Sequence, residues 1–146
     1  MNRFDPHQSL GFHCALTLKA FVTDLTHRLE GTGVSPAQYR VLAHLMAEGP
    51  LAQSELCELL AISAPSTVRL LDRMERDGWI ARTADADDRR IKRIVPTDRT
   101  SSLWDEISIH SRELLEQAYA GIDPAEISKV MDILSRVRMN LGDRSR

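Results

Sequence analysis

Hydrophobic residues follow a helical spacing along most of this chain and change to a strand-like spacing only once. Over residues 10–60 and again beyond residue 97 they recur at steps of three and four, as at Phe21, Leu25 and Leu29, which is typical of helices with one buried face. Residues 79–83 and 90–95 instead flank a charged, turn-prone segment with short apolar and β-branched runs, which predict two strands of a hairpin. The predicted chain is therefore mainly α with a small β-hairpin.

Small polar residues, glycines and prolines divide the helical part into six segments. A serine, threonine or aspartate before a helix can cap its free N–H groups, proline is tolerated in the first turn, and glycine ends helices. The residues with these properties are Ser35-Pro36, Gly49-Pro50, Ser63 with Pro65, Gly78, Thr97 or Asp98, and Asp123-Pro124. They predict helices over 10–29 and 53–60 and others starting near 36, 64, 98 and 124, with the hairpin between the fourth and the fifth.

Length and composition exclude several classes of protein. The chain has 146 residues and a mass of 16.5 kDa, which fits one domain over residues 1–146. It has no apolar run near the roughly 20 residues that cross a bilayer, and its opening residues lack the apolar core of a signal peptide, so no membrane partner and a cytoplasmic location are expected. Its five histidines and two cysteines are scattered, and no catalytic or phosphate-loop motif is present. No metal, no cofactor and no enzymatic activity are expected.

The terminal segments, residues 10–30 and 98–141, carry apolar stripes without a core of their own to cover. A lone helix is marginal in water, and an exposed apolar stripe marks an interaction surface. The stripes must therefore pack on each other within one chain or on a second copy of the chain. A homodimer with dimerisation helices at both ends is the more economical interpretation, and an intramolecular bundle is the alternative.

Basic residues are concentrated in the middle of the chain. The net charge is only −2, but residues 69–99 hold nine basic and seven acidic side chains, and Arg89, Arg90, Lys92 and Arg93 fill four of five hairpin positions. A charged hairpin is often only a solvated turn. Here it follows two short helices joined by a tight turn, which is the order of a winged helix-turn-helix, so residues 35–96 are predicted to form a lobe that binds double-stranded DNA.

The fourth helix would enter the major groove with its first turn leading. Arg69 is suited to a bidentate contact with guanine, while Arg73 either meets a phosphate or pairs with a neighbouring carboxylate. The first-turn residues placed to meet phosphates or base edges are Ser63, Pro65, Ser66 and Thr67.

The hairpin would follow the backbone into a neighbouring minor groove. The narrow, electronegative channel there favours an inserted arginine, for which Arg90 is the candidate. Arg89, Lys92 and Arg93 add positive charge beside it.

Four segments resemble the MarR family of bacterial transcriptional regulators. They are residues 35–42 (SPAQYRVL), 66–75 (STVRLLDRME), 78–82 (GWIAR) and 85–90 (DADDRR), and the resemblance extends over about residues 10–141. It implies an obligate dimer built from both termini, and a wing in which an acid orients the arginine that enters the minor groove, here Asp88 and Arg90. One departure lies after the hairpin, where the family's leucine and glycine are both replaced in PTDRT, residues 96–100.

The resemblance also implies control by a small aromatic or phenolic effector bound between the dimerisation helices and the DNA-binding lobe, which would change the spacing of the two recognition helices. The residues expected to line that site are Phe12, His13, Arg40, His44 and Trp104. Core packing of the aromatic residues and a salt bridge for Arg40 are the competing interpretations. The expected function is a ligand-responsive repressor that binds a pseudo-palindromic operator as a homodimer.

Two alternatives remain open from the sequence. Cys14 lies in the first helix, where some members of this family carry an oxidant-sensing cysteine, although a buried apolar cysteine is the plainer interpretation. A winged helix can also serve as a protein-interaction module without binding DNA, and an enzyme would need a polar pocket that the sequence does not indicate.

Overall fold

A computed structural model of the protein describes residues 5–142. It contains six α-helices, one three-stranded antiparallel sheet and a turn of 3-10 helix at Pro6–Gln8, which confirms the predicted mainly α fold with a small hairpin. The predicted domain bounds also include residues 1–4 and 143–146, which lie outside the described residues. The helices are Leu10–Arg28 (α1), Pro36–Glu48 (α2), Gln53–Leu60 (α3), Ala64–Arg76 (α4), Asp98–Ala118 (α5) and Pro124–Asn140 (α6), and the strands are Leu51–Ala52 (β1), Ile80–Ala84 (β2) and Lys92–Pro96 (β3).

The predicted capping residues begin the helices. Ser35 accepts a hydrogen bond from the backbone N–H of Gln38, whose side chain in turn accepts from Ser35 N, so α2 begins with a complete capping box. Asp123 begins α6 with a capping box as well, and Ser63 caps α4 by accepting from the backbone N–H of Ser66. Thr97, rather than Asp98, caps α5. These helix starts are confirmed because each depends on short-range chemistry that the sequence displays.

The sheet has one strand more than the sequence predicted. β3 lies in the middle, pairing with β2 on one side and with β1 on the other, where Leu51 faces Ile94 and Ala52 faces Arg93. β1 has only two residues, too few to show a strand pattern. The hairpin strands lie one to two residues later than predicted, and residues 85–91 connect them. Residues 80–96 are called the wing below.

One hydrophobic core joins α2, α3, α4 and the sheet. Leu42, Leu56, Leu71 and Ile94 are fully buried there, one from each of these elements. Trp79, between α4 and β2, is also buried. Because the helices and the sheet pack on the same apolar cluster, the wing and α4 are parts of one packed unit.

The terminal helices are covered unequally within the chain. α1 packs on α5 through Leu25 and Leu114, which are buried. α6 has no buried residue, and Val130 and Met131 on it are 52% and 54% exposed. The alternative of an intramolecular bundle therefore leaves the apolar side chains of α6 without cover. None of the helices within residues 5–142 is long and apolar enough to span a membrane.

Candidate nucleic-acid interface

The first turns of α4 present a linked set of polar side chains to solvent. Ser63 Oγ donates to Ser66 Oγ at 2.8 Å, and Arg69 Nη2 donates to Ser66 Oγ at 3.3 Å. Ser63, Pro65 and Arg69 are exposed, and Ser66 is half-buried. The helix start therefore holds one hydroxyl pair and one guanidinium together at its surface.

Thr67 does not belong to this exposed set, contrary to the prediction. Its side chain is fully buried, and its Oγ1 donates to the backbone carbonyl of Ser63 at 3.3 Å. The reason is helical geometry, since Thr67 lies on the same face as the buried Leu70, Leu71 and Met74. The side chain of Thr67 is therefore unavailable to DNA, and the prediction is wrong for it.

The arginines later in α4 differ in their surroundings. Arg76 pairs with Asp77 at 3.1 Å, which is one of the ion pairs considered for it from the sequence. Arg73 is exposed and has no carboxylate within ion-pair distance among residues 5–142. The nearby Asp72 and Glu75 pair instead with Arg82 of β2.

The tip of the wing holds one arginine in a fixed orientation. Arg90 Nε donates to both carboxylate oxygens of Asp88, at 3.0 and 3.2 Å, and Arg90 Nη2 donates to Asp88 Oδ2 at 2.8 Å. The hydrogen bonds from the Arg90 side chain and from its backbone N–H lower the pKa of Asp88. The Arg90 side chain is nevertheless 91% exposed. The acid therefore orients the guanidinium without covering it, and the exposed Arg89 and Lys92 lie beside it in the chain.

Arg93 is bonded to carboxylates of its own lobe, and its side chain is 32% exposed. Its Nε donates to Asp85 Oδ2 at 2.6 Å and its Nη1 donates to Glu55 Oε2 at 2.8 Å. Because successive residues of a strand point to opposite faces, Arg93 lies on the face opposite the buried Ile94, and its guanidinium stays at the surface of the lobe. The guanidinium of Arg93, with the backbone N–H groups of Asp87 and Asp88, lowers the pKa of Asp85 to about 2. The predicted DNA contact of Arg93 stays a prediction, and its guanidinium is already bonded to two carboxylates of the lobe.

Arg82 is a functional residue that the sequence did not reveal. Its Nη2 donates to Asp72 Oδ1 at 2.7 Å, its Nη1 donates to Glu75, and its side chain is only 21% exposed. Burial works against its charge, but the hydrogen bonds to Glu75 and Asp72 outweigh burial and raise the pKa of Arg82. The residue therefore ties β2 to the outer side of α4.

Side chains at the start of α5 form hydrogen bonds with the backbone that follows α4. Thr97 Oγ1 donates to the carbonyl of Gly78 at 2.8 Å, and Thr100 Oγ1 donates to the carbonyl of Trp79 at 2.6 Å. Arg99 Nη1 donates to the carbonyl of Asp77 at 3.0 Å, and its guanidinium lies 4.4 Å from the centre of the Trp79 ring. Three successive carbonyls after α4 are thus bound by the segment where the sequence departs from the family pattern.

Comparison with known proteins assigns the chain to a family. A family model described as "MarR family" matches residues 32–91. YwoH of Bacillus subtilis, an uncharacterized HTH-type transcriptional regulator, is 31% identical over 93 residues, which cover 64% of this chain and 67% of that protein. The solved structure of transcriptional regulator PA3341 is 33% identical, covers 93% of this chain and 100% of its own, and superposes with a TM-score of 0.85. The chain belongs to the MarR family.

As a MarR-family member, the protein is a transcriptional regulator by family, and its fold extends to regulators of much lower identity. CouR from Rhodococcus jostii RHA1, solved with bound p-coumaroyl-CoA, is 21% identical, superposes with a TM-score of 0.83, and the match covers 92% of this chain and 95% of CouR. At that identity the likeness shows the shared fold. The wing, the helix-turn-helix and the terminal helices of this MarR-family chain therefore form a known arrangement.

Three of the five residues predicted for an effector site, Phe12, His13 and Trp104, lie in aromatic clusters. Phe12 packs edge-on against His7 and His13, with ring centres 4.9 and 5.9 Å apart. Trp104 of α5 stacks on Tyr39 of α2 at 5.6 Å. Trp104 thus joins α5 to α2 and packs, partly buried, against the hydrophobic core.

The other two have polar partners in α2 and α3. Arg40 Nη2 donates to the carbonyl of Leu60 at 2.6 Å, and His44 Nδ1 lies 3.0 Å from Glu48. Arg40 therefore bonds to the C-terminal end of α3 instead of forming the salt bridge considered from the sequence. Of the five predicted residues, Phe12 and His13 contact each other, whereas Arg40, His44 and Trp104 have the other partners given above.

Two cavities lie beside α1, and they differ from the predicted site. One of about 320 Å³ lies between α1 and α5, and one of about 430 Å³ lies between α1 and α6. Of the predicted effector residues, only His13 lines either of them. The first is lined by Thr17, Ala20, Phe21, Asp24, Leu114, Gln117 and Ala118, and the second by Leu10, His13, Cys14, Thr17, Leu18, Phe21, Val130 and Leu134.

The cysteines are both free thiols. Cys14 is exposed in the single chain, which corrects the expectation of a buried apolar cysteine, and Cys57 is half-buried. Within residues 5–142 no three His, Cys, Asp or Glu side chains are grouped so that they could hold a metal ion.

Proposed function

We propose that this MarR-family regulator binds double-stranded DNA as a homodimer on a pseudo-palindromic operator, and that it is a repressor released by a small effector. The observation that carries the DNA-binding part is the Asp88–Arg90 pair at the wing tip. Its guanidinium is held by hydrogen bonds to one carboxylate and is still 91% exposed. Insertion into a narrow minor groove favours such an arginine, because its conformation is fixed before binding.

The start of α4 supplies the major-groove contact in this proposal. A helix N-terminus attracts phosphate through its free N–H groups, and the exposed Ser63 and Ser66 lie there. Arg69, supported by Ser66 Oγ, can then make a bidentate contact with guanine, which discriminates against other bases by about 1–3 kcal/mol. The domain division that follows is residues 35–96 for DNA binding and residues 10–30 and 98–141 for dimerisation.

A binding assay on genomic fragments tests the DNA-binding proposal. We expect retarded bands at low salt for the wild-type protein. Arg90→Ala should weaken binding to all sequences, while Arg69→Ala should also relax base preference at one position in each half-site. Equal losses on operator and random DNA for Arg69→Ala would contradict its assigned role. A protein-interaction module would give no retarded band at any salt concentration.

The salt dependence of binding tests which cations meet phosphates. Among residues 5–142, the exposed cations of α4 and the wing without a carboxylate partner are Arg69, Arg73, Arg89 and Lys92. Four in each copy correspond to about eight phosphates, so the logarithm of the binding constant should fall with the logarithm of salt with a slope of about −7.

Two variants of one helix make this salt test specific. Arg73→Gln removes one unpaired cation from each copy and should reduce the slope to about −5. Arg76→Gln makes the same chemical change one turn later, where Asp77 already balances the charge, and should leave the slope unchanged. Equal slopes for the two variants would contradict this assignment.

The exposed apolar side chains of the terminal helices support the dimer. α6 has no buried residue, and Leu16 and Leu18 of α1 are exposed as well. A second copy is the partner that the chain itself provides, and it would cover these side chains together with the cavity between α1 and α6.

Sedimentation of a charged variant tests the dimer. Val130 is 52% exposed on α6 and lines that cavity. Val130→Asp should give a monomer that no longer retards operator DNA, whereas Lys129→Asp, a larger change of charge at the neighbouring position, should stay dimeric. A wild-type protein that sediments as a monomer at micromolar concentration would refute the dimer proposal.

The cavity between α1 and α5 supports the effector part of the proposal. Its volume of about 320 Å³ lies within the range of small-molecule sites, and it combines apolar walls with Thr17 and Gln117. CouR was solved with an aromatic thioester bound, so aromatic acids, phenols and their thioesters form the panel to screen.

Ligands that raise the melting temperature should also release operator DNA, because an effector acts by preferring one conformation. Ala118→Trp, which fills the cavity, should abolish both effects. Ala120→Trp makes the same change just beyond α5 and serves as the control. Retention of the ligand response by Ala118→Trp would show that the effector binds elsewhere.

A further inference from the structure

A chain of hydrogen bonds runs from α3 to the loop of the wing. Glu55 Oε2 on α3 accepts from Arg93 Nη1 at 2.8 Å, and Arg93 Nε donates to Asp85 Oδ2 at 2.6 Å. The same Glu55 oxygen accepts from the backbone N–H of Ala52 at 2.6 Å. Ala52 also pairs with Arg93 across the sheet. The chain of contacts thus begins on packed secondary structure.

The second half of the chain connects this base to the wing tip. Asp85 Oδ1 accepts from the backbone N–H groups of Asp87 at 2.9 Å and Asp88 at 3.1 Å, and Asp88 then holds Arg90. We call Glu55, Arg93, Asp85, Asp88 and Arg90 the wing relay. Arg93 donates on both sides, to Glu55 and to Asp85, and each of the three carboxylates accepts hydrogen bonds that connect it to its neighbours in the relay.

The charge of Asp85 and its place in the relay predict opposite effects on DNA binding. A carboxylate beside a DNA-binding surface repels phosphate, so electrostatics alone predicts that its neutralisation tightens DNA binding. In the relay, however, the Asp85 carboxylate holds the backbone N–H groups of Asp87 and Asp88, in addition to the backbone bond from Ile91 N–H to the Asp88 carbonyl at 2.9 Å. Its pKa of about 2 shows that it stays ionised and bonded at neutral pH.

We propose that Asp85 is a positioning residue for DNA binding, which holds Arg90 in its exposed orientation through the loop backbone and Asp88 and is itself held by Arg93 and Glu55. The inference rests on the proposed function, because it assigns a role in the same DNA contact. It differs from the Asp88–Arg90 pair itself, since Asp85 touches neither Arg90 nor, in this proposal, DNA.

Two substitutions with the same change of charge separate positioning from electrostatics. Asp85→Asn and Asp87→Asn each remove one negative charge from the same loop. Asp87 contributes its backbone N–H to the relay, and its carboxylate takes no part in the relay. We expect Asp85→Asn to weaken operator binding about tenfold, as the loss of hydrogen bonds to a charged group predicts. Asp87→Asn should bind as tightly as wild type or more tightly, and equal or tighter binding by Asp85→Asn would overturn the proposal.

The same substitution in an Arg90→Ala background tests whether Asp85 acts through Arg90. If it does, Asp85→Asn adds no further loss of affinity once Arg90 is gone. An equal loss in both backgrounds would show a general structural role and would also overturn the proposal. Thermal melting of each variant, measured at one protein concentration, separates loss of folding from loss of the contact.

A measurement without DNA keeps this test independent of the proposed function. In nitrogen-15 NMR spectra, the Nε–H signal of Arg90 should be protected from exchange in the wild-type protein and in Asp87→Asn. In Asp85→Asn it should exchange at least about fivefold faster, because the amide that replaces the carboxylate no longer accepts from Arg93 Nε through Oδ2, so the side chain that holds the Asp88 backbone loses its anchor. Unchanged exchange in Asp85→Asn would overturn the relay. Loss of DNA binding by the wild-type protein, with the exchange difference intact, would refute only the proposed function.

Discussion

The junction between the wing and α5 depends on the hydroxyl of Thr100, so its removal is expected to destabilise the fold. Thr100 is fully buried, and its Oγ1 donates to the carbonyl of Trp79 at 2.6 Å. Valine has nearly the shape of threonine, so Thr100→Val exchanges the hydroxyl for a methyl group at almost constant volume. The substitution therefore tests the hydrogen bond with little change in packing.

The expected loss of stability depends on which hydrogen bonds the Trp79 carbonyl still accepts in Thr100→Val. It still accepts from the backbone N–H of Thr97 at 3.2 Å, so it is not left unsatisfied, and the full penalty for an orphaned buried acceptor does not apply. The loss is then that of one net hydrogen bond, about 0.5–1.5 kcal/mol. Thr26→Val is a matched control, because Thr26 Oγ1 also donates to a backbone carbonyl at 2.6 Å but is exposed. Its effect should stay within about 0.5 kcal/mol.

Urea unfolding at one fixed protein concentration measures the difference, with the fluorescence of Trp79 and Trp104 and far-UV circular dichroism as the two probes. For a slope of about 2 kcal/mol per molar urea, a loss of about 1 kcal/mol lowers the midpoint by about 0.5 M. The fixed concentration matters because dimerisation adds to apparent stability. If Thr100→Val and Thr26→Val had equal midpoints, the buried hydroxyl would contribute nothing to the junction, and this reasoning would be refuted.

Two further predictions concern the arginines of the wing. Carboxyl carbon-13 NMR should give Asp85 a pKa of about 2, below its ordinary 3.8, and Arg93→Gln should raise that pKa toward 3.8. Because the pKa is lowered in the folded state, the stabilisation by Asp85 is present above pH 3.8 and is lost as the pH falls through about 2. Arg82→Ala should lower the free energy of unfolding by about 1 kcal/mol, since this largely covered guanidinium joins two carboxylates, whereas Arg76→Ala, at an exposed pair, should change it by less than about 0.5 kcal/mol. A pKa near 3.8 in the wild-type protein, or equal losses for the two alanine variants, would contradict these assignments.

The helical framework could be predicted because its signals are local. Ser35 with Pro36 begins α2, and Ser63 begins α4, since a capping side chain reaches only the next few backbone N–H groups. The burial of Thr67 was available from the same spacing, because it shares a helical face with Leu71 and Met74. This burial was missed because Thr67 was predicted to contact DNA from its polar side chain, without regard to the helix face on which it lies.

The partners of the wing arginines could not be predicted in the same way. Arg93 bonds to Glu55, which lies 38 positions earlier, and that contact exists only because a two-residue strand brings the segment before α3 against β3. Arg82 reaches Asp72 across the turn that ends α4. Both contacts depend on sheet register and on how α3 and α4 pack, and neither leaves a short-range pattern in the sequence.

The side-chain contacts also explain why the near-neutral charge of the chain says little about its partner. Residues 69–99 hold seven acidic side chains, and Asp72, Glu75, Asp77, Asp85 and Asp88 among them are bonded to arginines of the same lobe. These carboxylates neutralise arginines that hold the lobe together or orient one cation, so they oppose a nearby phosphate much less than a solvated carboxylate would. A sum over the whole chain counts them as free negative charges. Attraction to a polyanion is governed instead by the charge of the exposed cations on α4 and the wing that have no carboxylate partner. That local charge is positive even though the chain as a whole carries −2.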